Sequence, residues 1–281
     1  MNRIYHYVGI SKQNFHQQLN RQIKRKEEEN YLLHVIRQVR QGHPRMGAET
    51  LYSKIKPEQF NRDQFTELYN ANGFRLRQVR NYRRTTDSNG VIRFDNLLLN
   101  FELTGVNQVF VSDITYYELG ERFYYLTFMM DLFSRMIKGY VASKTLRTID
   151  TTIPALKMVL DKLPKDSKPI IHSDGGGQYY CKEFLELGKG RFNHSMCESV
   201  YENAHAERIN GIIKNDYIKP SDPGNFEQLE KVLQNVIYRY NYERPHHSLE
   251  MLTPNQYEIK HLKDEQIKKK SYHYNIELNM I

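Results

Sequence analysis

Cysteine is scarce in this chain: 281 residues hold only Cys181 and Cys197. The two form no CxxC pair, so a disulfide framework and a structural zinc site are not expected, and a reducing cytoplasm fits. Long apolar runs are missing too. None approaches the roughly 18 residues that a membrane span needs, and the N-terminus has no signal-peptide core, so no membrane partner is expected. Acid is the scarcer sign of charge, with 33 Asp and Glu against 41 Lys and Arg, a formal net charge of +8. The sequence pI is about 9.2. With aromatics at 12% of residues, that balance favours a polyanion partner, most simply nucleic acid. A merely basic soluble protein has the same numbers. Tryptophan is absent, which decides nothing, and there is no internal repeat. The length suggests two or three domains.

Residues 1–90 are polar, basic and helix-patterned. A helix opens after Gly9 with Ser11 as N-cap. EEENYLLHVIRQVRQ then sets Leu32, Val35, Ile36 and Val39 at helical spacing. GHPRMG breaks the pattern, AETLYSKI is a short amphipathic piece, and NRDQFTELYNANG is a helix with Asn61 as cap and Gly73 as stop. Helix, turn, helix is compatible with a small DNA-binding unit, and equally with a plain helical bundle. FRLRQVRNYRRTTDSNG follows, with Arg75, Arg77, Arg80, Arg83 and Arg84 interleaved with Phe74 and Tyr82. It has the composition of an exposed segment that tracks a phosphate backbone, or of a solvated charge run. Residues 91–106 are a linker.

From 107 the texture changes. VFVSDITYY, FYYLTFMMDLF and MIKGYVASK are apolar, aromatic-rich runs, separated by turns at Gly120–Glu121 and Ser134–Arg135. They predict an antiparallel meander. TTIPALKMVLDKLP predicts a helix with Pro154 in its first turn. KPIIHSD is a further strand, which the intervening helix would place parallel in the sheet. CKEFLELGKG, NHSMCES and AHAERINGIIKNDYI then read as helix, strand and helix. This order is that of an RNase H-like domain, an α/β core over 107–220. A C-terminal helical extension and tail, 221–281, begins with a helix whose apolar face includes Phe226, Leu229, Val232, Leu233, Val236 and Ile237.

Three acidic residues stand in settings that suit a divalent metal. Asp113 and Asp174 lie at the ends of apolar, β-branched runs, and Glu207 lies on a helical stretch. Two strand-end carboxylates and one from a helix can converge on one point, where hard cations such as Mg²⁺ or Mn²⁺ take oxygen ligands. Such a site in a basic protein suits phosphoryl transfer.

The segments SDITYY, DLFSR (131–135), HSDGGGQY (172–179), ENAHAERINGIIKNDY (202–217) and YNYERPHHSLEMLTPNQY (240–257) stand in the order of one family. On these the chain resembles the DDE transposases of insertion sequences, in the branch closest to retroviral integrases, and HPRMG (43–47) resembles the small helical domain that often precedes their core. The resemblance implies an RNase H-like integrase core, a mixed five-stranded sheet with flanking helices, preceded by a small all-α region. It implies Asp113, Asp174 and Glu207 as catalytic and metal-binding residues. Two Mg²⁺ or Mn²⁺ ions would activate a water or 3′-hydroxyl and stabilise the leaving oxygen. Cleavage at transposon ends and strand transfer into target DNA would follow. Implied partners are DNA, further copies of the chain in a dimer or higher multimer, and the product of an upstream DNA-binding frame. A prokaryotic, nucleoid-associated location is implied as well.

Glu207 follows Asp174 by 33 positions, slightly closer than usual in the family, and Glu198 and Glu202 compete with it. Asn203, which matches the family pattern, favours Glu207. Lys214, seven residues after Glu207 and two α-helical turns on, is placed to hold a DNA phosphate. Arg244 is a further candidate DNA contact, and so are His246 and His247, or else their loop packs back on the core. Gly175, Gly176 and Gly177 allow close backbone approach to a phosphate, or are an ordinary loop; the family often has a basic residue at the first of them. His172 either shapes the site or is a packed strand histidine, and Arg208 points elsewhere, as a backbone contact or a surface charge. Two other readings share the fold or the binding: an RNase H-type nuclease that cuts without joining, and an inert or domesticated DNA-binding copy.

Overall fold

The computed structural model describes residue 9 and residues 11–77, 94–197 and 204–263. Two compact units divide the chain, Met1–Arg77 and Gln78–Ile281.

The first unit holds α1 (Lys12–Gly42), α2 (Ala48–Ile55) and α3 (Arg62–Ala71). Ser11 caps α1 by accepting from the Asn14 amide at 3.1 Å. The helix expected after Gly9 and the one expected around Leu32 are a single helix, because nothing between them breaks the ladder: KRKEEE holds neither Pro nor Gly. Its C-terminal half packs Leu32, Leu33 and Ile36 against Met46, Leu51, Phe60, Phe65 and Tyr69. Asn61 and Gln64 form a reciprocal capping box on α3. The chain leaves that helix through Gly73, at φ +74°. Arg40 ties the bundle together, bonding the Pro44 and Phe74 carbonyls and the Tyr69 hydroxyl.

The second unit is built on a mixed five-stranded sheet: β1 (Val109–Leu119), β2 (Arg122–Asp131), β3 (Ile137–Ser143), β4 (Ile170–Ser173) and β5 (Asn193–Met196), in the order β3-β2-β1-β4-β5. The meander β1–β3 is antiparallel, and β4 and β5 add in parallel. Flanking helices are α4 (Thr152–Leu160), α5 (Lys182–Gly188), α6 (Ala204–Gly211) and α7 (Phe226–Tyr242). This is the RNase H-like arrangement of the sequence expectation.

The sheet has a core on each face. Phe110, Met129 and Ile171 meet Leu156 and Val159 of α4 and Phe184 of α5. Val111, Phe128 and Met130 meet Ile209 of α6, Ile213 and Tyr217 beyond it, and Leu229, Leu233, Val236 and Ile237 of α7. The helix at the head of the C-terminal extension thus packs into the same core as the sheet. Asn241, buried at its end, both donates to and accepts from the backbone of Ile137, each at 2.9 Å. A last helix starts at residue 254 and runs to 263. Its Glu258 is bound by Lys138 at 2.8 Å and Ser134 at 2.9 Å. The stretch expected as a linker lies against β5: Phe94 stacks on His194 at 4.7 Å, and the Leu97 amide donates to Ser195 at 2.9 Å.

β3 approaches α4 so closely that a Cβ on Gly139 would stand 2.1 Å from the Ala155 carbonyl oxygen. The obstacle is backbone and cannot swing aside. Gly139→Ala is expected to lower the stability of the second unit by about 1–3 kcal/mol, read as a lower melting temperature. An unchanged melting temperature would show that β3 and α4 are further apart.

Candidate active site

β1 and β4 run in parallel from Val109↔Ile170 to Ser112↔Ser173. The next residue on each is an aspartate, Asp113 and Asp174. There β4 ends, while β1 continues in its pairing with β2 as far as Leu119. Asp113 is therefore interior to its strand, where the apolar run suggested a strand end. The end of the parallel pairing opens the sheet beside the two carboxylates. Glu207 enters in the first turn of α6, whose buried residues are Ala206, Ile209 and Asn210.

The carboxylates are held by specific donors. Asp113 Oδ2 accepts from Asn210 Nδ2 at 2.6 Å, and its Oδ1 from the Ile114 amide at 2.8 Å. Asp174 Oδ1 accepts from the Gly176 amide at 3.2 Å. A Cβ at Gly176 would crowd that oxygen at 3.0 Å, whereas none of Gly175–Gly177 has positive φ; room, not backbone freedom, is what this loop needs. Below the aspartates, Ser112 Oγ and the buried Tyr179 hydroxyl lie 2.8 Å apart, linking β1 to the turn that follows Asp174.

Burial pushes the Asp113 carboxyl up to about 7, and the nearby charges of Asp174 and Glu207 push the same way against its two hydrogen bonds. Burial raises Asp174 as well, opposed by the Gly176 amide. Burial also raises the Tyr179 phenol, with Asp174 and Asp113 adding to the effect. The carboxylates are close enough to repel, although among the described residues no three His, Cys, Asp or Glu side chains are gathered tightly enough to cage an ion as they stand. A desolvated carboxyl repelled by two more is a group that a divalent cation would stabilise, so the donor set fits one.

After α6 the helix widens into a π segment, Ile212–Ile218. The π segment departs from the α-helical spacing used for Lys214, yet the side chain still reaches Thr115, two residues along β1 from Asp113. Its ammonium is bound to Thr115 Oγ1 and to the Tyr116 carbonyl, the latter at 3.2 Å. Burial lowers its pKa, helped by Lys219 and opposed by Asp113.

Residues 104–199 match a family model described as an integrase core domain, and residues 191–254 match a second model of that description. The uncharacterized 31 kDa protein of insertion element IS600 from Shigella sonnei is 30% identical over 199 residues, 69% of this chain and 73% of that protein. The chain belongs to the insertion-sequence transposases with an integrase core. Transposase InsF of insertion sequence IS3A from Escherichia coli (strain K12) is 28% identical over 226 residues, 78% of each chain. Among solved structures, the HTLV-2 integrase catalytic core domain in complex with magnesium (trimeric form) aligns with 55% of this chain and 97% of its own, at 23% identity and a TM-score of 0.45.

In this transposase the remaining expected residues fall in different places. Arg75 and Arg77 are exposed at the end of the first unit, while Arg80, Arg83 and Arg84 lie outside the described residues, as do Glu198, Glu202 and Asn203. Arg244 is spent inside its own unit, 3.1 Å from Asp216 and 3.3 Å from the Tyr217 hydroxyl. His172 is a packed strand histidine, bonded to Ser195 on β5 at 2.9 Å. Asn210, Ser112 and Tyr179 were not foreseen. Asn210 was within reach: three residues after Glu207, it shares that residue's helix face.

The folded protein keeps a proton on Asp113 up to about pH 7, whereas the group's ordinary value is 3.8. Between those values the folded state binds more protons than the unfolded state, so this group's contribution to stability falls as pH rises through the interval. Metal-free Asp113→Asn is therefore expected to melt higher than the wild type at pH 8, with the gap narrowing toward pH 4. Differential scanning calorimetry in EDTA measures it; equal melting temperatures at pH 8 would mean that the carboxylates are not crowded.

Proposed function

We propose that the chain catalyses metal-dependent DNA cleavage at transposon ends and transfer of the freed strand into target DNA. The observation that carries this reading is Asp113, raised to about 7 by burial and by the charges of both Asp174 and Glu207. Membership of the transposase family supports it. Asp113, Asp174 and Glu207 would hold the divalent ions, Mg²⁺ or Mn²⁺, two to a site. When bound, the metal supplies Lewis-acid activation of the attacking oxygen and charge stabilisation of the leaving one.

The other groups position these ligands. Asn210 fixes one Asp113 oxygen and leaves it a lone pair for metal, while the Ile114 amide orients the other. The Ser112–Tyr179 link holds the two aspartates' strands together from beneath. Lys214 stands two positions along β1 from Asp113, where its charge can meet a DNA phosphate as well as Thr115. Arg75 and Arg77, with Arg80, Arg83 and Arg84, would follow the DNA backbone. Arg244 acts through its ion pair, fastening the segment after α7 to the π segment. No side-chain nucleophile is required: a water cuts and a DNA 3′-hydroxyl joins. Partners on this reading are the transposon ends, the target and further copies of the chain.

The test is a labelled transposon-end duplex with Mg²⁺, with EDTA, and with Asp113→Asn, Asp174→Asn, Glu207→Gln and Glu202→Gln. Nicking and joining should need metal and fall at least about a thousandfold in the first three variants, with Glu202→Gln near wild type. Full activity in Glu207→Gln with loss in Glu202→Gln would move the third ligand to Glu202.

A further inference from the structure

A second polar cluster lies around the other side of α6, and the chemistry above does not use it. His205 and Arg208, three residues apart, share a face turned away from Glu207 and Asn210. Arg135 reaches the same region from the β2–β3 turn. Asn241 clamps Ile137, two residues beyond Arg135, so Tyr240 of α7 stands beside that turn. The His246 ring packs edge-on against Tyr240 at 4.7 Å.

Among the described residues, Asp131 is a carboxylate whose charge acts on Arg135. Arg135 Nη1 is buried without a hydrogen-bond partner, and so is His246 Nε2. Among the described residues, the guanidinium of Arg135 has no ion pair. Asp131 makes no hydrogen bond to it, accepting from the Phe133 and Ser134 amides and from the Ser134 hydroxyl, at 3.0, 2.7 and 3.1 Å, and from the Asn107 amide. Asp216 is occupied by Arg244. The positive potential is felt by every base there. Burial pulls His246 down to about 3, with Arg244, Arg208 and Arg135 all adding to the fall.

Neighbouring cations, one with a buried donor and no partner, are a poor arrangement unless an anion joins them. Arg135 stands at φ +61° in the turn between β2 and β3. Its planar fork suits a phosphate oxygen pair.

We propose that Arg135 and Arg208, lined by His246, form a seat for a DNA backbone phosphate on the flank of α6 away from the carboxylates. The occupant rests on the reading of this chain as a DNA-transacting enzyme. Contacts on both flanks would make the helix that carries Glu207 a rail along the DNA. The seat reads no base, so it acts on any duplex.

The experiment measures binding of a fluorescent duplex of arbitrary sequence by the full chain over a salt series. Wild type is compared with Arg135→Gln, with Arg208→Gln and with Asp113→Asn. Loss of one phosphate contact should lower the slope of log affinity against log salt by about 0.9 in each arginine variant. Arg208 is exposed, so its variant reports even where Arg135→Gln fails to fold. Unchanged slopes in the folded arginine variants would overturn the seat. Asp113→Asn should keep the wild-type slope while losing end cleavage. Cleavage surviving in Asp113→Asn would defeat the carboxylate reading without touching the seat, because the slope is measured without chemistry.

Discussion

Everything at the site depends on forcing negative charges into a place with little water. Asp113 is part of a strand whose neighbours pack Val111 on one face and Phe110 on the other, so it cannot move away from Asp174 without taking the sheet with it. The register Ser112↔Ser173 sets the next residues of two parallel strands side by side. The repulsion between them is a consequence of the fold and not of a flexible loop. Burial in a medium of low effective dielectric makes that repulsion matter, and the hydrogen bonds from Asn210, Ile114 and Gly176 offset only part of it. A fold that keeps such an arrangement holds repelling carboxylates that a bound cation would relieve.

The strands were legible because their apolar runs are continuous and their turns carry the right residues. Gly120 has positive φ at the first hairpin and Arg135 at the second, so both turns fell where the pattern broke. Parallel addition of β4 followed from the intervening helix. The merging of two expected helices into α1 was less visible, since a change from charged to amphipathic texture resembles a boundary when only periodicity is weighed.

The three acidic residues singled out in the sequence do act on one another in the fold, but their geometry was not legible. Asp113 looked like a strand terminus because apolar residues precede it, but the strand continues through ITYYEL on the strength of its pairing with β2. The tyrosines there pack across strands, as Tyr116 does on Tyr125 at 5.3 Å, which polarity alone understates. The π segment was beyond reach. Nothing in IIKNDYI announces i→i+5 bonding, and it turns Lys214 toward Thr115. For Arg244 the structure shows the packed alternative, its partner Asp216 arriving from 28 positions earlier.

One helix organises both kinds of charge. The buried residues of α6 anchor it to the sheet, and three-residue spacing then sorts its polar residues: Glu207 and Asn210 toward the aspartates, His205 and Arg208 away from them. Among the described residues the basic side has no ion pair of its own: Asp131 acts on Arg135 only through space while bonding its own turn, and Asp216 pairs with Arg244. The acidic centre and the basic flank thus lie on different faces of one helix. A cation would satisfy the first and a phosphate the second, and on the proposed reading one DNA would meet both. On the proposed reading the two flanks would be complementary parts of one binding surface, and α6 between them would hold the phosphate to be cut in place relative to its neighbours.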